Sequence, residues 1–223
     1  MSGFDKAAAN YDRSRRALIP DYDDLYGSAV EALALDGCED VRIMDLGAGT
    51  GGFSAEVINA HPACRIELTD ISKPMLEQSR AKFGADGRFS FRELNIVSGD
   101  FGSDWDRIIS SFVIHHLPHE QKRTVFAKAF AALKPGGMLV NIDQVQACSQ
   151  AVQDIHVRLW KKDALKAGAF KQDIEDGIAR MEAMDINADL DDQVLWLKKV
   201  GFAEVEVVYR NYFWAVFVAR KAA

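Results

Sequence analysis

The chain has 223 residues, of which 48% are hydrophobic and 27% charged, and 27 Lys and Arg stand against 33 Asp and Glu for a net charge of −6. That length fits one α/β domain with an inserted lid, and the acidic balance argues against a nucleic-acid-binding surface. Cys38, Cys64 and Cys148 lie far apart without C-x-x-C spacing, which favours reduced thiols over a disulfide frame or a zinc site. The segment MSGFDKAAANYDRSRR lacks the apolar core of a signal peptide, and no stretch reaches the roughly 18 apolar residues of a membrane span. A soluble, cytoplasmic protein is expected.

Residues 1–20 are polar, with charges around Tyr11 and a stop at Pro20. A helix is predicted from Asp21, because Tyr22, Leu25, Tyr26, Ala29 and Leu33 recur on one face, and Gly37 closes it. Residues 41–46 read as a first strand. A glycine turn and a helix to about residue 60 follow, ended by His61-Pro62. Residues 65–70 (RIELTD) form a second strand. The next helix is capped by Ser72, has Pro74 in its first turn, and faces Met75, Leu76, Ser79 and Phe83 inward. Residues 89–96 alternate as a third strand and 105–114 read as a fourth. A helix over about 120–133 would bury Phe126, Ala129, Phe130 and Leu133. Lys134-Pro135-Gly136-Gly137 is a turn signal before a fifth strand at 138–145. Residues 148–200 are helical in pattern, as two or three helices ending at Gly201. Residues 203–221 suggest two strands meeting near Arg210-Asn211.

Strands alternating with helices imply a mostly parallel sheet covered on both faces, with the ligand beyond the carboxyl ends of the strands. Asp45, the glycine turn, Asp70, Asn95 and Ser111 all fall at those ends. In the turn, Gly47, Gly49, Gly51 and Gly52 follow directly on VRIMDL, as a tight strand-to-helix turn against a ligand requires. The helix behind it would aim free N–H groups at that ligand. The pattern alone is ambiguous, since Gly47, Gly49 and Gly52 also satisfy the dinucleotide fingerprint G-x-G-x-x-G, with Asp70 near the offset of a ribose-binding acid. An NAD(P)-dependent oxidoreductase is therefore an alternative.

With DLGAGTGG, TDIS, ELNI, SSFVIHHL and LKPGGMLV taken together, nearly the whole chain resembles the class I S-adenosylmethionine-dependent methyltransferases. The resemblance implies a Rossmann-like α/β fold of seven mostly parallel strands with the last antiparallel, helices on both faces, and a helical lid insertion. It implies one domain over 1–223, with cofactor-covering helices in 1–36 and the lid in 148–200. The cofactor would be S-adenosyl-L-methionine. Gly47, Ala48, Gly49 and Gly51 would line its methionine end, with Asp45 near the ammonium. Asp70 would take both ribose hydroxyls, as a carboxylate can. Ile71 and Met75 belong to the same set. Asn95, where the family commonly has aspartate, would accept from the adenine amino group and the Ile96 amide would meet a ring nitrogen. Ser111 and Phe112 would flank the sulfonium. Tyr11 and Arg15 match an N-terminal pattern that folds over the cofactor, with Arg16 a rival for its carboxylate.

No catalytic residue is evident. His115 and His116 are candidates because imidazole titrates near neutrality, although a structural or cofactor-flanking role suits the HHL pattern better. No metal is expected, since H-H-x-x-H with His119 lacks a helical scaffold before Pro118. His116, Trp160 and Arg180 are candidates for contact with substrate. Trp196 reads as core, and residues 161–192, with nine acids against five bases, read as a solvated helical surface. The expected reaction is methyl transfer to a small-molecule acceptor, with no nucleic-acid or membrane partner and a homodimer possible from family habit. A narrower likeness of the lid and tail, including Arg180, to carboxy-S-adenosylmethionine synthases supplies the alternative, because there an arginine near this position holds the extra carboxylate.

Overall fold

The computed structural model describes residues 16–35 and 37–223. In chain order the elements are α1 (Tyr22–Glu31), β1 (Arg42–Leu46), α2 (Gly52–Ala60), β2 (Arg65–Asp70), α3 (Lys73–Phe83), β3 (Phe89–Glu93), β4 (Trp105–Ser111), a 3₁₀ turn (Ile114–His116), α4 (His119–Ala132), β5 (Leu133–Gln144), α5 (Gln150–Lys166), α6 (Lys171–Met184), α7 (Leu190–Val200), β6 (Glu204–Asn211) and β7 (Trp214–Arg220). One sheet of seven strands runs in the order β3-β2-β1-β4-β5-β7-β6. The pairs from β3 through β5 are parallel, and β7 is antiparallel to both of its neighbours. This is the expected fold.

Alternate residues of the central strands feed two cores. Ile43, Ile109 and Val140 face Leu25, Tyr26, Phe53 and Val57 on one side. Met44, Ile108 and Leu139 face Phe126, Trp196, Leu197 and Phe202 on the other. A parallel sheet buried on both faces therefore needs the near-continuous apolar runs that the sequence supplies. Among the described residues no helix is long and apolar enough to cross a membrane.

Several boundaries differ from expectation for local reasons. The third strand stops at Glu93 and not at 96, because the Asn95 side chain accepts from Val97 N at 2.9 Å and turns the chain away. The fourth stops at Ser111 and not at 114, because Phe112 takes φ +58° and leads into the 3₁₀ turn. Pro135-Gly136-Gly137 does not precede the fifth strand but lies within it as a bulge. Trp105 pairs with Leu133, yet Arg107 already pairs with Met138, and Gly136 sits at φ +73°. Leu133 thus belongs to the strand and not to the preceding helix, and Phe130 is only half-buried, packed edge-on to Phe202. Ser72 occupies the cap position of α3 without a side-chain capping bond; its N–H instead donates to Asp70 Oδ1 at 2.7 Å. Three helices fill residues 148–200. α7 packs on α4 and β6 as an ordinary layer of the fold, whereas α5 and α6 arch over the strand ends.

Candidate active site

The turn between β1 and α2 is shaped by packing as well as by dihedral angle. Gly47 sits at φ +67° and a Cβ there would lie 2.5 Å from the Val113 side chain; Gly51, at φ +78°, would meet Phe83 at the same distance. Gly49 faces open space in the cavity that the turn borders. Beneath it, Asp45 is buried and accepts from Ser54 Oγ at 2.6 Å, while its carbonyl accepts from Thr69 Oγ1 at 2.8 Å. At the end of β2, Asp70 Oδ2 accepts from Gly49 N at 2.9 Å and Oδ1 from Ser72 N. One carboxylate thereby ties the glycine turn to the start of α3, and each oxygen keeps a further lone pair.

These residues border a cavity of about 700 Å³. Asp45, Gly47, Ala48, Gly49, Asp70, Ile71, Met75, Asn95, Ile96, Ser111, Phe112 and His116 all line it, so the structure brings together nearly every residue singled out at the strand ends. Gly51 holds the turn from behind, against Phe83. Ile71 is 64% exposed, an apolar side chain at the mouth. Ser111 Oγ is hydrogen-bonded to Tyr26 Oη at 2.7 Å. Asn95 departs from expectation: its Oδ1 already receives the Val97 and Ser98 amides, so the acceptor expected to meet adenine is engaged by its own turn. Tyr11 and Arg15 lie outside the described residues. Arg16 pairs with Asp23 at 2.8 Å and lies over the Tyr22 ring, on the surface.

A second cavity of about 220 Å³ adjoins the first; Phe112, His116 and Met184 border both. Its roof is α5 and α6, through Trp160, Arg180 and Met181, and its floor includes Gln144 and Trp214. Phe112, in its left-handed conformation, sets its ring edge-on to Trp214 at 5.1 Å, and so stands as the wall between the two spaces. Trp160 lines this cavity as anticipated, but it is 2% exposed and its Nε1 donates to Leu18 O at 2.7 Å, so it anchors the roof and offers a ligand only its ring. Arg180 does not pair with Asp176, which instead accepts from Gln172. Two buried polar atoms on the walls, Gln144 Oε1 and Trp214 Nε1, have no hydrogen-bond partner among the described residues.

Beside this cavity lies a buried ionic network. His115, 3% exposed, has Nδ1 2.5 Å from Asp143 Oδ1 and Nε2 3.4 Å from Asp185 Oδ1; His116 Nδ1 is 3.0 Å from the same Asp185 oxygen. Gln144 Nε2 donates to Asp185 Oδ2 at 2.8 Å. Burial alone would lower the His115 pKa, but the Asp143 carboxylate, followed by Asp185, overcomes it and pushes the group up to about 9. Asp185 is held far below the usual carboxylate range, its burial outweighed by the two histidines. Lys122, fully buried, donates to Ile114 O at 2.6 Å, and burial lowers its ammonium to about 8 against the pull of Asp143 and Asp185. The two histidines thus differ in kind. His115 is buried between the Asp143 and Asp185 carboxylates, and His116, 41% exposed, faces the junction of the cavities.

Sequence reasoning missed Asp143, Gln144 and Asp185. The first two end β5, and the strand-end rule that found Asp70 would have found them. Asp185 sits in the acid-rich stretch read as solvated surface, yet its side chain is 3% exposed. Nothing local in the sequence marks it.

A methyltransferase domain model matches residues 44–139, from β1 into β5. The chain is 28% identical over 210 residues to the malonyl-[acyl-carrier protein] O-methyltransferase 2 of Ilyobacter polytropus, covering 94% of this chain and 72% of that one. It is 24% identical over 213 residues to the carboxy-S-adenosyl-L-methionine synthase of Alteromonas mediterranea, covering 92% and 86%. The chain thus carries a methyltransferase domain and resembles the class I S-adenosylmethionine-dependent methyltransferases along most of its length. Its fold also matches the methyltransferase solved in complex with the Trm112 activator of Haloferax volcanii, at TM-score 0.66 and 16% identity, over 100% of this chain and 99% of that one. Other solved methyltransferases that share the fold are longer, and this chain spans 47% to 58% of them. This likeness favours methyl transfer over the dinucleotide reading of the glycine turn.

Proposed function

We propose that this methyltransferase acts on a small-molecule acceptor held in the 220 Å³ cavity beneath α5 and α6. The observation that carries the reading is the junction at Phe112, His116 and Met184, where the smaller cavity opens directly onto the larger cavity of the glycine turn. The larger cavity fits the cofactor. Its turn is bare backbone at Gly49, its carboxylate at Asp70 keeps lone pairs for a ribose, and Ile96 N–H has no partner among the described residues to compete with an adenine nitrogen. S-adenosylmethionine, when bound, supplies an electrophilic methyl group whose positive charge is lost on transfer.

The chain's own contribution is then mainly position. Alignment of two bound reactants is worth about 7–11 kcal/mol of barrier, so no nucleophile or metal is required for an acceptor that is already a good nucleophile. Phe112 fixes the boundary between the two bound groups, and α5 and α6 exclude water from the smaller one. The assignment of 148–200 as a lid narrows on this reading to α5 and α6. A labelled methyl group followed from S-adenosylmethionine into a fractionated cell extract tests the proposal. Label is expected among small molecules, and label recovered only in RNA or protein would overturn it.

A second reading is favoured by Arg180, which lines the smaller cavity and has no ion-pair partner among the described residues. The likeness to carboxy-S-adenosyl-L-methionine synthases makes a carboxylated cofactor the competing occupant, its carboxylate meeting that guanidinium. Native mass spectrometry of the purified protein separates the readings by the mass of the retained ligand.

A further inference from the structure

We propose that His115, His116 and Asp185 form a binding site for one divalent transition-metal ion, of the zinc class, on the wall of the smaller cavity. The candidate ligand atoms, one from each residue, lie within 4.8 Å of one another. Asp185 Oδ1 stands 3.4 Å from His115 Nε2 and 3.0 Å from His116 Nδ1. With bonds of about 2.0–2.1 Å, the ligand atoms of a tetrahedral zinc ion stand roughly 3.3 Å apart, close to both separations from Asp185, and the Gln144 amide, 3.3 Å from His115 Nε2, would turn aside to admit the ion.

The second observation is the support behind each ligand. Metal-bound histidines donate their other ring N–H to a carboxylate, and ligating carboxylates are themselves hydrogen-bonded. Here His115 Nδ1 is held by Asp143 at 2.5 Å, and Asp185 Oδ2 by Gln144 Nε2 at 2.8 Å. Asn141 Nδ2 approaches the far oxygen of Asp143 at 3.4 Å. A simple ion pair needs one carboxylate on one imidazole. An orienting acid behind one histidine and a shared acid in front of both is the layout of a coordination site. The unpartnered Gln144 Oε1 lies on the same wall. Three protein ligands leave positions free toward the cavity, as in sites that bind an exogenous oxygen.

Asp143, Asp185 and Lys122 carry a net −1, and a dication with neutral histidines would bring the cluster to +1, suited to an anionic acceptor oxygen or sulfur. Such an ion would hold the acceptor's hydroxyl or thiol as its anion, the proton passing to solvent. That use rests on the small-molecule reading above, whereas binding of the ion does not. His119 takes no part: its ring lies against Trp196 at 5.4 Å, and Asp185 supplies the third ligand that the H-H-x-x-H spacing could not.

The test uses tag-free protein, stripped with chelator, reloaded with Zn²⁺ and measured by plasma mass spectrometry and by calorimetry. One equivalent per chain is expected, and Co²⁺ in its place should give visible absorption bands that exclude an octahedral aquo ion. Asp185→Asn and His116→Ala should each abolish stoichiometric binding, and Asp143→Asn should weaken it about 10–100-fold. Circular dichroism and the urea-unfolding midpoint keep a folding defect distinct from a lost ligand. Wild-type protein that takes up no ion overturns the site. So do Asp185→Asn and His116→Ala variants that load like wild type, since the ion would then sit elsewhere. Loss of S-adenosylhomocysteine binding by the wild type would overturn the function reading and leave the metal result standing.

Discussion

Asp70→Asn separates the charge of this side chain from its shape. In the folded chain the carboxylate accepts from Gly49 N at 2.9 Å and Ser72 N at 2.7 Å, and presents its remaining lone pairs to the larger cavity. Asparagine keeps one acceptor oxygen but sets an NH₂ against one of those two amide hydrogens, so donor meets donor. If two ribose hydroxyls also donate to the carboxylate, each charge-assisted bond is worth about 1.5–3 kcal/mol. Losing both corresponds to about 3–6 kcal/mol, a roughly 10²- to 10⁴-fold rise in Kd. Calorimetric titration with S-adenosylhomocysteine at constant pH and salt measures this directly, with circular dichroism confirming the fold. A Kd within about threefold of wild type, under 1 kcal/mol, would refute the placement of the ribose at Asp70 and with it the orientation of the cofactor.

Gly47→Ala should destabilise the protein by about 2–5 kcal/mol in urea unfolding, since it adds left-handed backbone strain to overpacking against Val113. Arg180→Gln should leave S-adenosylhomocysteine affinity within about threefold, because the residue borders only the smaller cavity, yet remove any carboxylated ligand seen by native mass spectrometry. With chelator present, stability should fall as pH rises from about 6.5 to 9. His115 is raised to about 9 in the folded state, so its contribution is complete below the unfolded value and lost as pH passes through the folded one. The span is worth about 3 kcal/mol, it should vanish in His115→Gln, and above pH 8 the depressed Lys122 works the other way by favouring the fold as pH climbs.

The cofactor half of this site was legible because it is written locally. Gly47 to Gly52 follow their strand within a few residues, and Asp70 ends the next strand, so a period and a turn signal place them without knowledge of the rest of the chain. The strand limits were less legible where a side chain overrides a pattern. Asn95 turns the chain by taking two backbone amides, and Phe112 does so by accepting a dihedral that its residue type disfavours. Neither event has a signature in hydrophobic alternation. The Pro135-Gly136-Gly137 signal reads as a turn before the strand, but a bulge and a loop use the same residues, and only pairing across to Trp105 shows that it is a bulge within the strand.

The smaller cavity is illegible for a different reason: its members are far apart in sequence and each looks ordinary alone. His115 and Asp143 are brought together by neighbouring strand ends, but Asp185 arrives from the end of α6 and is one acid among nine in its stretch. What fixes it is not its own propensity but the amide of Ile186, which donates to His115 O at 2.9 Å and sets the chain against the 3₁₀ turn. The same contact makes the roof of the smaller cavity and the ionic network one unit. A change at Asp185 would therefore alter both the shape of the smaller cavity and the charge on its wall, while Gly47 and Asp70, which border only the larger cavity, stay as they are. On the proposed reading, substrate choice would then move with residues such as Asp185 that the motifs at the glycine turn do not specify.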